Sequence, residues 1–410
     1  MNNKLNSNNY LPCDKNSVTE LFSDPSLPLV VVVTKTNWNE PPRMRHQVTR
    51  QLLRFFNVLY VQKNHNNKSD TLKKISNRQV IFIPAFEGTF LPRAYAWLPV
   101  YQNAVNNRYV SKIDKLVRSF GAKTNILINF EFDFFQVMNL ETFDLKFYIC
   151  VDEFPKMQGS KAKKSILKRI IQENLLQLYE NKVASLSDIC LTCHYPLQRK
   201  LKRVNRNVEM FFHANDLKIK YGKISEKKLI RNRPINVGFM GYIDRRLDIA
   251  ILNEILCQQD MKLFLIGQFH NINRNVFESD LSSQRLTITG NLYGDELYDY
   301  MSHLDVLIMP YIPTIPDVQV LTTSSKLFQY IATGKPIVIS DLPNYIKMPE
   351  GIYYRAKKTS DFIRKIRDAF DEDNEELIKL RLKIATENTW EKRGDQLYTI
   401  ISDALPVLKD

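Results

Sequence analysis

The residues whose types and spacing best fit chemistry lie between Asp305 and Pro343. An apolar run ends at Met309-Pro310-Tyr311, and a loop with Thr322, Thr323, Ser324 and Ser325 leads into a helix predicted over 325–332. The first N–H groups of a helix lack intrahelical partners and carry positive partial charge, so this helix start is a natural phosphate site. The four hydroxyls can add hydrogen bonds, Lys326 adds a cation, and Gln329 lies one turn further in. Gly334 ends the helix, ahead of Lys335-Pro336. The same residues also fit an ordinary capped helix between two strands.

A second group lies in the N-terminal half. Trp38, Arg43, Arg45 and His46 flank the first strand-to-helix turn. His46 can act as acid/base, contact an acceptor, or be structural. Asn129 and Glu131 end one predicted strand, and Asp152 and Glu153 end the next. Carboxylates at strand ends can bind acceptor hydroxyls or cap the following helix. Cys190-x-x-Cys193-His194 has the outline of a metal site, but no second ligand pair accompanies it and its cysteines sit on a predicted buried strand. No metal is expected. The five cysteines make no disulfide framework.

These residues need elements to hold them. After a polar stretch expected to be a tail, residues 1–27, strands alternate with helices. Strands are predicted at 29–34, 57–62, 79–84, 125–130, 147–152 and 189–193, with helices at 43–56 and 160–184. The polar stretch 215–232 reads as a linker. Alternation then restarts: strands at 235–240, 262–266, 285–289, 305–310 and 336–340, helices at 246–256, 295–302 and 325–332. The pattern implies two doubly wound parallel sheets, with ligands at the carboxyl ends of the strands and a cleft between the units as the default site. Neither first turn carries G-x-G-x-x-G or a Walker A sequence, which argues against dinucleotide oxidoreductases and P-loop NTPases.

Net charge is +14 over 410 residues. Lys156 to Arg206 alone holds twelve Lys/Arg against three acidic residues. Such a balance fits an anionic lipid surface or a phosphorylated substrate. The aromatic segment from Phe86 to Tyr101 would deepen a contact with a bilayer interface, or else be buried packing. No nucleic-acid reader motif is present, so nucleic acid is not an expected partner. The N-terminus lacks the apolar stretch of a signal peptide, and Leu27–Val33 is too short to span a bilayer. A cytoplasmic protein, peripheral at the inner face of the membrane, is expected.

The stretch from Asp305 to Val338 resembles the C-terminal domain of GT-B glycosyltransferases close to glycosyltransferase family 4 (group 1). That family shows a Lys-Leu-aromatic-Glu-Tyr-x-Ala-x-Gly-Lys-Pro pattern after an Asp-Val-x-Ile-x-Pro-Tyr strand. Val237-Gly238-Phe239-Met240-Gly241 with Asp248, Leu265-Ile266-Gly267 and Thr289-Gly290 resemble the domain's first three strand ends. Asn388-Thr389-Trp390 with Arg393 resembles the start of the final helix.

The resemblance implies an α/β GT-B fold of two Rossmann-like domains facing a cleft. It places an acceptor-binding domain at 28–214, a nucleotide-sugar-binding domain at 215–387, and a C-terminal helix, 388–410, returning to the first domain. It implies donor contacts from Gly241, Arg245, Arg246, Tyr311, Thr322, Thr323, Ser324, Ser325, Lys326 and Gln329, and acceptor contacts from Arg43, Arg45, Glu131 and Asp152. Arg246, meeting charge on a diphosphate leaving group, and His46 are the catalytic candidates.

The expected activity is sugar transfer from a nucleotide diphosphate sugar to a glycan or lipid-linked acceptor, in cell-surface polysaccharide assembly. Retained anomeric configuration, a hexose as the transferred group and no cofactor are further expectations. A non-catalytic GT-B binding partner in a glycan assembly complex and a sugar-nucleotide epimerase are the alternatives. One departure stands out: Gln329 occupies the position of a Glu that, in the family, bonds the donor ribose. The family's other acid falls on Leu321. Gln329→Glu is therefore expected to preserve or tighten donor binding, and Gln329→Ala to weaken it.

Overall fold

The computed structural model describes residues 10–11, 21–63, 68–85, 99–155, 166–216, 233–270, 272, 274–281, 283–292 and 294–405. Two compact units emerge: Met1–Phe211 with Arg393–Asp410, and Phe212–Lys392.

The first unit holds β1 (Tyr10–Leu11), β2 (Leu29–Thr34), β3 (Asn57–Gln62), β4 (Thr71–Ser76), β5 (Gln79–Ile83), β6 (Asn125–Asn129), β7 (Leu145–Cys150), β8 (Ile189–Thr192) and β9 (Val208–Met210). They lie in the order β1-β4-β5-β3-β2-β6-β7-β8-β9. From β5 to β9 every pairing is parallel. All residues of β2 and β3 are buried, which is why both read as near-continuous apolar runs. Helices Met44–Leu52, Pro99–Phe120, Ile166–Ser185 and Tyr195–Leu201 complete the unit. The strand order reverses between β2 and β6.

The second unit holds β10 (Ile235–Met240), β11 (Met261–Ile266), β12 (Leu286–Gly290), β13 (Val306–Met309), β14 (Ile337–Ser340) and β15 (Tyr354–Ala356). All are parallel, in the order β12-β11-β10-β13-β14-β15. Numbered within the unit this is 3-2-1-4-5-6, with a switch point between β10 and β13. Helix Ser325–Ala332 follows β13 and buries Leu327, Phe328 and Ile331. Each such side chain contributes roughly 1.5–3 kcal/mol relative to exposure.

Several elements differ from expectation. The expected tail joins the structure: β1 pairs antiparallel with β4, and Leu21 and Phe22 are core residues, with Phe22 5.0 Å from Phe120 between ring centroids. Strand β4 was unforeseen because its antiparallel edge carries Lys73 and Lys74 and buries only Leu72. The helix expected over 43–56 stops at Leu52 and that over 246–256 starts only at Ile249. Helices Pro99–Phe120, Thr359–Glu372 and Glu375–Glu387 are additions. Of the expected linker only Asn215 and Asp216 are described, and Asn215 is no free connector. Its side-chain amide donates to the carbonyls of Ala385 and Asn388, both at 2.8 Å.

Residues from Arg393 onward pack with the first unit. Tyr398 stacks on Phe55 at 4.4 Å, and Asp395 pairs with Arg54 at 2.9 Å. Gly394 is required for this approach, since a Cβ there would lie 2.7 Å from the Cβ of Gln51.

Candidate functional site

In the second unit, chain geometry gathers a cationic cluster at the switch point. Strand β10 ends at Met240, and Gly241 turns the chain at φ 135°, a conformation other residues avoid. The loop that follows is tied to the end of β13: Asp248 N donates to Pro310 O at 2.8 Å and Ile312 N to Arg246 O at 2.9 Å. The Asp248 carboxylate then caps helix Ile249–Cys257 by accepting from Ala250 N and Ile251 N.

Lys326 enters from the first turn of helix Ser325–Ala332. Its Nζ donates to the Tyr311 hydroxyl at 2.5 Å and stands 4.2 Å from the Phe239 ring centroid. A Cβ at position 241 would lie 2.5 Å from this ammonium, so the glycine makes its room. The Arg246 guanidinium lies 5.9 Å from the Tyr311 ring and is fixed by Asp244, with Nη2 to Oδ2 at 2.6 Å. Tyr330 joins the two strand ends, accepting from Met240 N at 2.7 Å.

Electrostatics follow from this packing. Burial, helped by the Arg246 charge, pushes the Lys326 ammonium down to about 7. Burial lifts the Tyr311 phenol to about 12. Burial opposes ionisation of Asp244, yet the hydrogen bonds and charge of Arg246 outweigh it and hold that carboxyl below its ordinary value. The cluster can thus present one fixed guanidinium and one titratable amine to an anion.

The hydroxyl loop is arranged differently from expectation. Thr322 and Thr323 are fully buried, so neither side chain presents itself at the surface for a phosphate. The chain turns inward there because Thr322 O accepts from Ile346 N at 2.8 Å. Ser324 caps the helix, its Oγ accepting from Leu327 N at 3.2 Å. Ser325 is exposed. Leu321 packs on the unit's core, which suits the leucine and not an acid. Arg245 is 61% exposed at its side chain and pairs with Asp317 at 3.0 Å. Gln329 donates its amide to Asp216 Oδ1 at 2.9 Å, a partner that no local sequence signal announced.

Arg381 was also missed. It is fully buried on helix Glu375–Glu387 and donates to the carbonyls of Gly334 and Gly351 and to Asp373 Oδ1. It therefore anchors the chain just beyond the carboxyl end of the Lys326 helix.

In the first unit the sequence-named residues lie around the carboxyl ends of β2, β6 and β7. Glu131 is buried and turned back on the chain: its Oε1 accepts from Lys35 N at 2.6 Å and from Thr34 Oγ1 at 3.2 Å. Lys35 Nζ bonds both oxygens of Asp133, at 2.7 and 2.6 Å. Burial disfavours charge on Lys35, but Asp133 and Glu131 outweigh it and keep the amine protonated. Lys63 is enclosed, donating to Asn106 Oδ1 at 2.5 Å, and burial pushes its amine down to about 8. Arg43 pairs with Glu40 at 3.2 Å. Arg45 stands over the rings of Phe130 and Phe154. Asp152 follows β7 and is partly buried.

His46 corrects an expectation. Its side chain is 1% exposed; Nδ1 accepts from Arg43 N at 3.1 Å and Nε2 lies 3.0 Å from Asn37 O. Both ring nitrogens serve the backbone, which fixes the neutral Nε2–H tautomer. Burial also holds the imidazole below its ordinary pKa. His46 thus shapes the 37–43 loop through both of its ring nitrogens.

Of the basic run, Lys156, Lys161, Lys163 and Lys164 lie outside the described residues, as does the aromatic segment from Phe86 to Leu98. Tyr101 is buried, contrary to a surface role. Lys200 is also withdrawn from the surface by Glu153 and Glu180, both at 2.5 Å. Helix Ile166–Ser185 instead exposes apolar groups: Ile170, Ile171 and Leu178 are 46%, 51% and 63% exposed. Among the described residues no helix is long and apolar enough to cross a membrane. The thiols of Cys190 and Cys193 donate to Ala184 O and Val151 O, and burial raises both pKa values.

Comparison with known proteins places this geometry. Residues 236–372 match the family model of glycosyl transferases group 1. Over 243 residues the chain is 26% identical to the Bacillus subtilis protein TuaH, whose name assigns it to teichuronic acid biosynthesis as a glycosyltransferase. That match covers 53% of this chain and 60% of the relative, so the chain spans about three fifths of the relative's length. The sucrose-phosphate synthase of Thermosynechococcus elongatus superposes with a TM-score of 0.68 at 12% identity, over 93% of this chain and 100% of that one. The catalytic domain of Arabidopsis thaliana starch synthase IV, bound to ADP and acarbose, gives a TM-score of 0.60 at 10% identity, over 92% and 99%. The chain has the GT-B fold, and residues 236–372 of its second unit are similar to the group 1 glycosyltransferase domain.

Proposed function

We propose that this protein transfers a sugar from a nucleotide diphosphate sugar to a glycan or lipid-linked acceptor in cell-surface polysaccharide assembly. The observation that carries the reading is the Gly241–Arg246–Tyr311–Lys326 cluster at the switch point of a group 1 domain. A glycosidic bond to a diphosphate breaks with negative charge growing on the leaving group. Arg246, held by Asp244, and Lys326, held over Phe239, are preorganised cations for that charge, supported by the positive end of helix Ser325–Ala332. This supply of positive charge is why the reading includes no resident metal or cofactor. Ser325 lies at the helix start for the phosphates, and Gln329 with Asp216 one turn further for the ribose.

In this reading the first unit takes the acceptor through Arg45 and its neighbours. Following the family resemblance, the transferred group is a hexose and its anomeric configuration is retained. The group 1 match and the polysaccharide-related name of the Bacillus relative support the assignment. The exposed Ile170, Ile171 and Leu178, next in sequence to a lysine-rich stretch, support a peripheral location at the inner face of the membrane.

The test is a thermal-shift and calorimetric screen with nucleoside diphosphates and their sugars. A ligand at a hundred times its Kd should stabilise the fold by about 2.7 kcal/mol. One such nucleotide is expected to bind and to lose affinity in Arg246→Gln. A protein that ignores all of them would overturn the reading.

A further inference from the structure

The cations at the carboxyl end of the first sheet are mostly neutralised by the chain itself. Lys35 bonds Asp133, Arg43 bonds Glu40, and Lys200 bonds Glu153 and Glu180. Lys63 is enclosed against Asn106. Arg45 differs. Its guanidinium carbon lies 5.6 Å from the Phe130 ring centroid and 5.9 Å from that of Phe154. Those ring faces attract the cation but accept no strong hydrogen bond. Its Nε is buried and has no hydrogen-bond partner among the described residues. The neighbouring Glu131 is spent on Lys35 N and Thr34.

A buried donor left unpaired costs about 1–3 kcal/mol, so the arrangement favours a ligand that brings an acceptor. A guanidinium standing on aromatic rings offers its edge, and that fork matches the two oxygens of a carboxylate or phosphate. Helix Met44–Leu52, which carries Arg45 in its first turn, has no acidic residue there, so its positive end adds to the field. We propose that Arg45 receives an oxyanion, carboxylate or phosphate, borne by the acceptor, and that the acceptor of this protein is therefore acidic. The inference rests on the reading of the first unit as the acceptor-binding unit.

Calorimetry or ligand-observed NMR on the full chain can decide it, with methyl glucuronide, glucose 1-phosphate and the neutral methyl glucoside as probes. One of the charged probes should bind wild type at least tenfold more tightly than the glucoside, and which one does so identifies the oxyanion as carboxylate or phosphate. Arg45→Gln should erase that preference. Arg45→Lys, which keeps the charge without the fork, should lower it at least threefold. Arg118→Gln, at an exposed arginine of helix Pro99–Phe120 already paired with Asp114, should leave it intact. Charged probes that bind wild type no better than the glucoside would overturn the proposal, as would an undiminished preference in both Arg45 variants. Titration of a nucleoside diphosphate runs in parallel. If nucleotide binds but the acidic preference is absent, this inference fails alone; if the Arg45-dependent preference is present but no nucleotide binds, the transferase reading fails and the oxyanion site stands.

Discussion

Gln329 donates its side-chain amide to Asp216 at 2.9 Å, so a carboxylate stands beside the helix position where the sequence has an amide. The two residues are 113 positions apart in sequence. This pairing reverses the expectation that a glutamate at 329 would help. A second carboxylate at hydrogen-bond distance would repel the first or force the pair to share a proton. Gln329→Glu is therefore expected to weaken nucleoside diphosphate binding at pH 8, on the order of tenfold or 1.4 kcal/mol, and to recover toward pH 5 as one proton binds. Asp216→Asn should weaken binding at both pH values. Tighter binding by Gln329→Glu at pH 8 would show that Asp216 does not share its site.

Lys326 gives a pH dependence. Its amine is pushed down to about 7 in the folded, unliganded protein. A bound diphosphate favours the ammonium, so its pKa must rise on binding, and above pH 7 binding takes up a proton. Affinity for a nucleoside diphosphate should fall as pH rises from 7 to 9, and the binding enthalpy should vary with the buffer's ionisation enthalpy. Lys326→Met should bind more weakly at pH 6 and lose this dependence. An affinity flat across that window in wild type would remove Lys326 from the phosphate site. Stability has the opposite trend: the depressed folded pKa means the unfolded chain binds the proton more tightly, so this group costs stability at low pH, and the cost fades as pH rises above 7.

Gly241 tests the packing of the same cluster. Gly241→Ala must tolerate φ 135° and a Cβ placed 2.5 Å from Lys326 Nζ. A loss of about 1–3 kcal/mol in urea unfolding is expected. Nucleotide affinity should drop with it, because Lys326 is displaced. Unchanged stability and affinity would mean the turn is looser than its geometry requires.

Arg381 tests the support behind the site. Truncation in Arg381→Ala strands the carbonyls of Gly334 and Gly351 and the carboxylate of Asp373, and should cost about 3–5 kcal/mol. Arg381→Met, which fills the volume, should recover part of the loss. Chemical denaturation of the three proteins measures both. A cost under 1 kcal/mol for the alanine variant would show the residue to be incidental.

Much of this was legible in the sequence, for physical reasons that also set the limits. β2, β3, β10 and helix Ser325–Ala332 occupy the expected residues, because β-branched runs and a capped, Gly-terminated helix are local signals. Helix Pro99–Phe120 and strand β4 were not legible: neither has a strict apolar period, and tertiary packing decides both. In the site, Gly241, Arg246, Tyr311 and Lys326 were all named, but their meeting is a property of the switch point. Inward and outward hydroxyls in an irregular loop have no period to separate them, which is why the buried Thr322 and Thr323 stand with Ser324 and Ser325 in the expected phosphate contacts. His46 invited a chemical role by residue type, while its two backbone partners are visible only in three dimensions. Asp216 and Arg381 act across long sequence separations and left no local mark.

Helix Ile166–Ser185 exposes Ile170, Ile171 and Leu178. Lys161, Lys163, Lys164, Lys168 and Arg169 lie just before these residues in sequence. Apolar side chains that follow a run of cations in sequence suit an anionic bilayer interface, where each basic residue contributes on the order of 1 kcal/mol by Coulomb attraction. A lipid-linked acceptor would require such contact, since the nucleotide donor arrives from water. The protein should therefore sediment with vesicles of anionic lipid at low salt and release as screening rises. Charge reversal at Lys161, Lys163, Lys164 and Lys168 should abolish the salt-sensitive part. Ile171→Asp with Leu178→Asp should weaken the part that survives high salt. Neither set should alter nucleotide affinity, because it touches only the first unit. If wild type ignores anionic vesicles even at low salt, the basic run is a solvated surface, the exposed apolar groups have another role, and the acceptor is a soluble one.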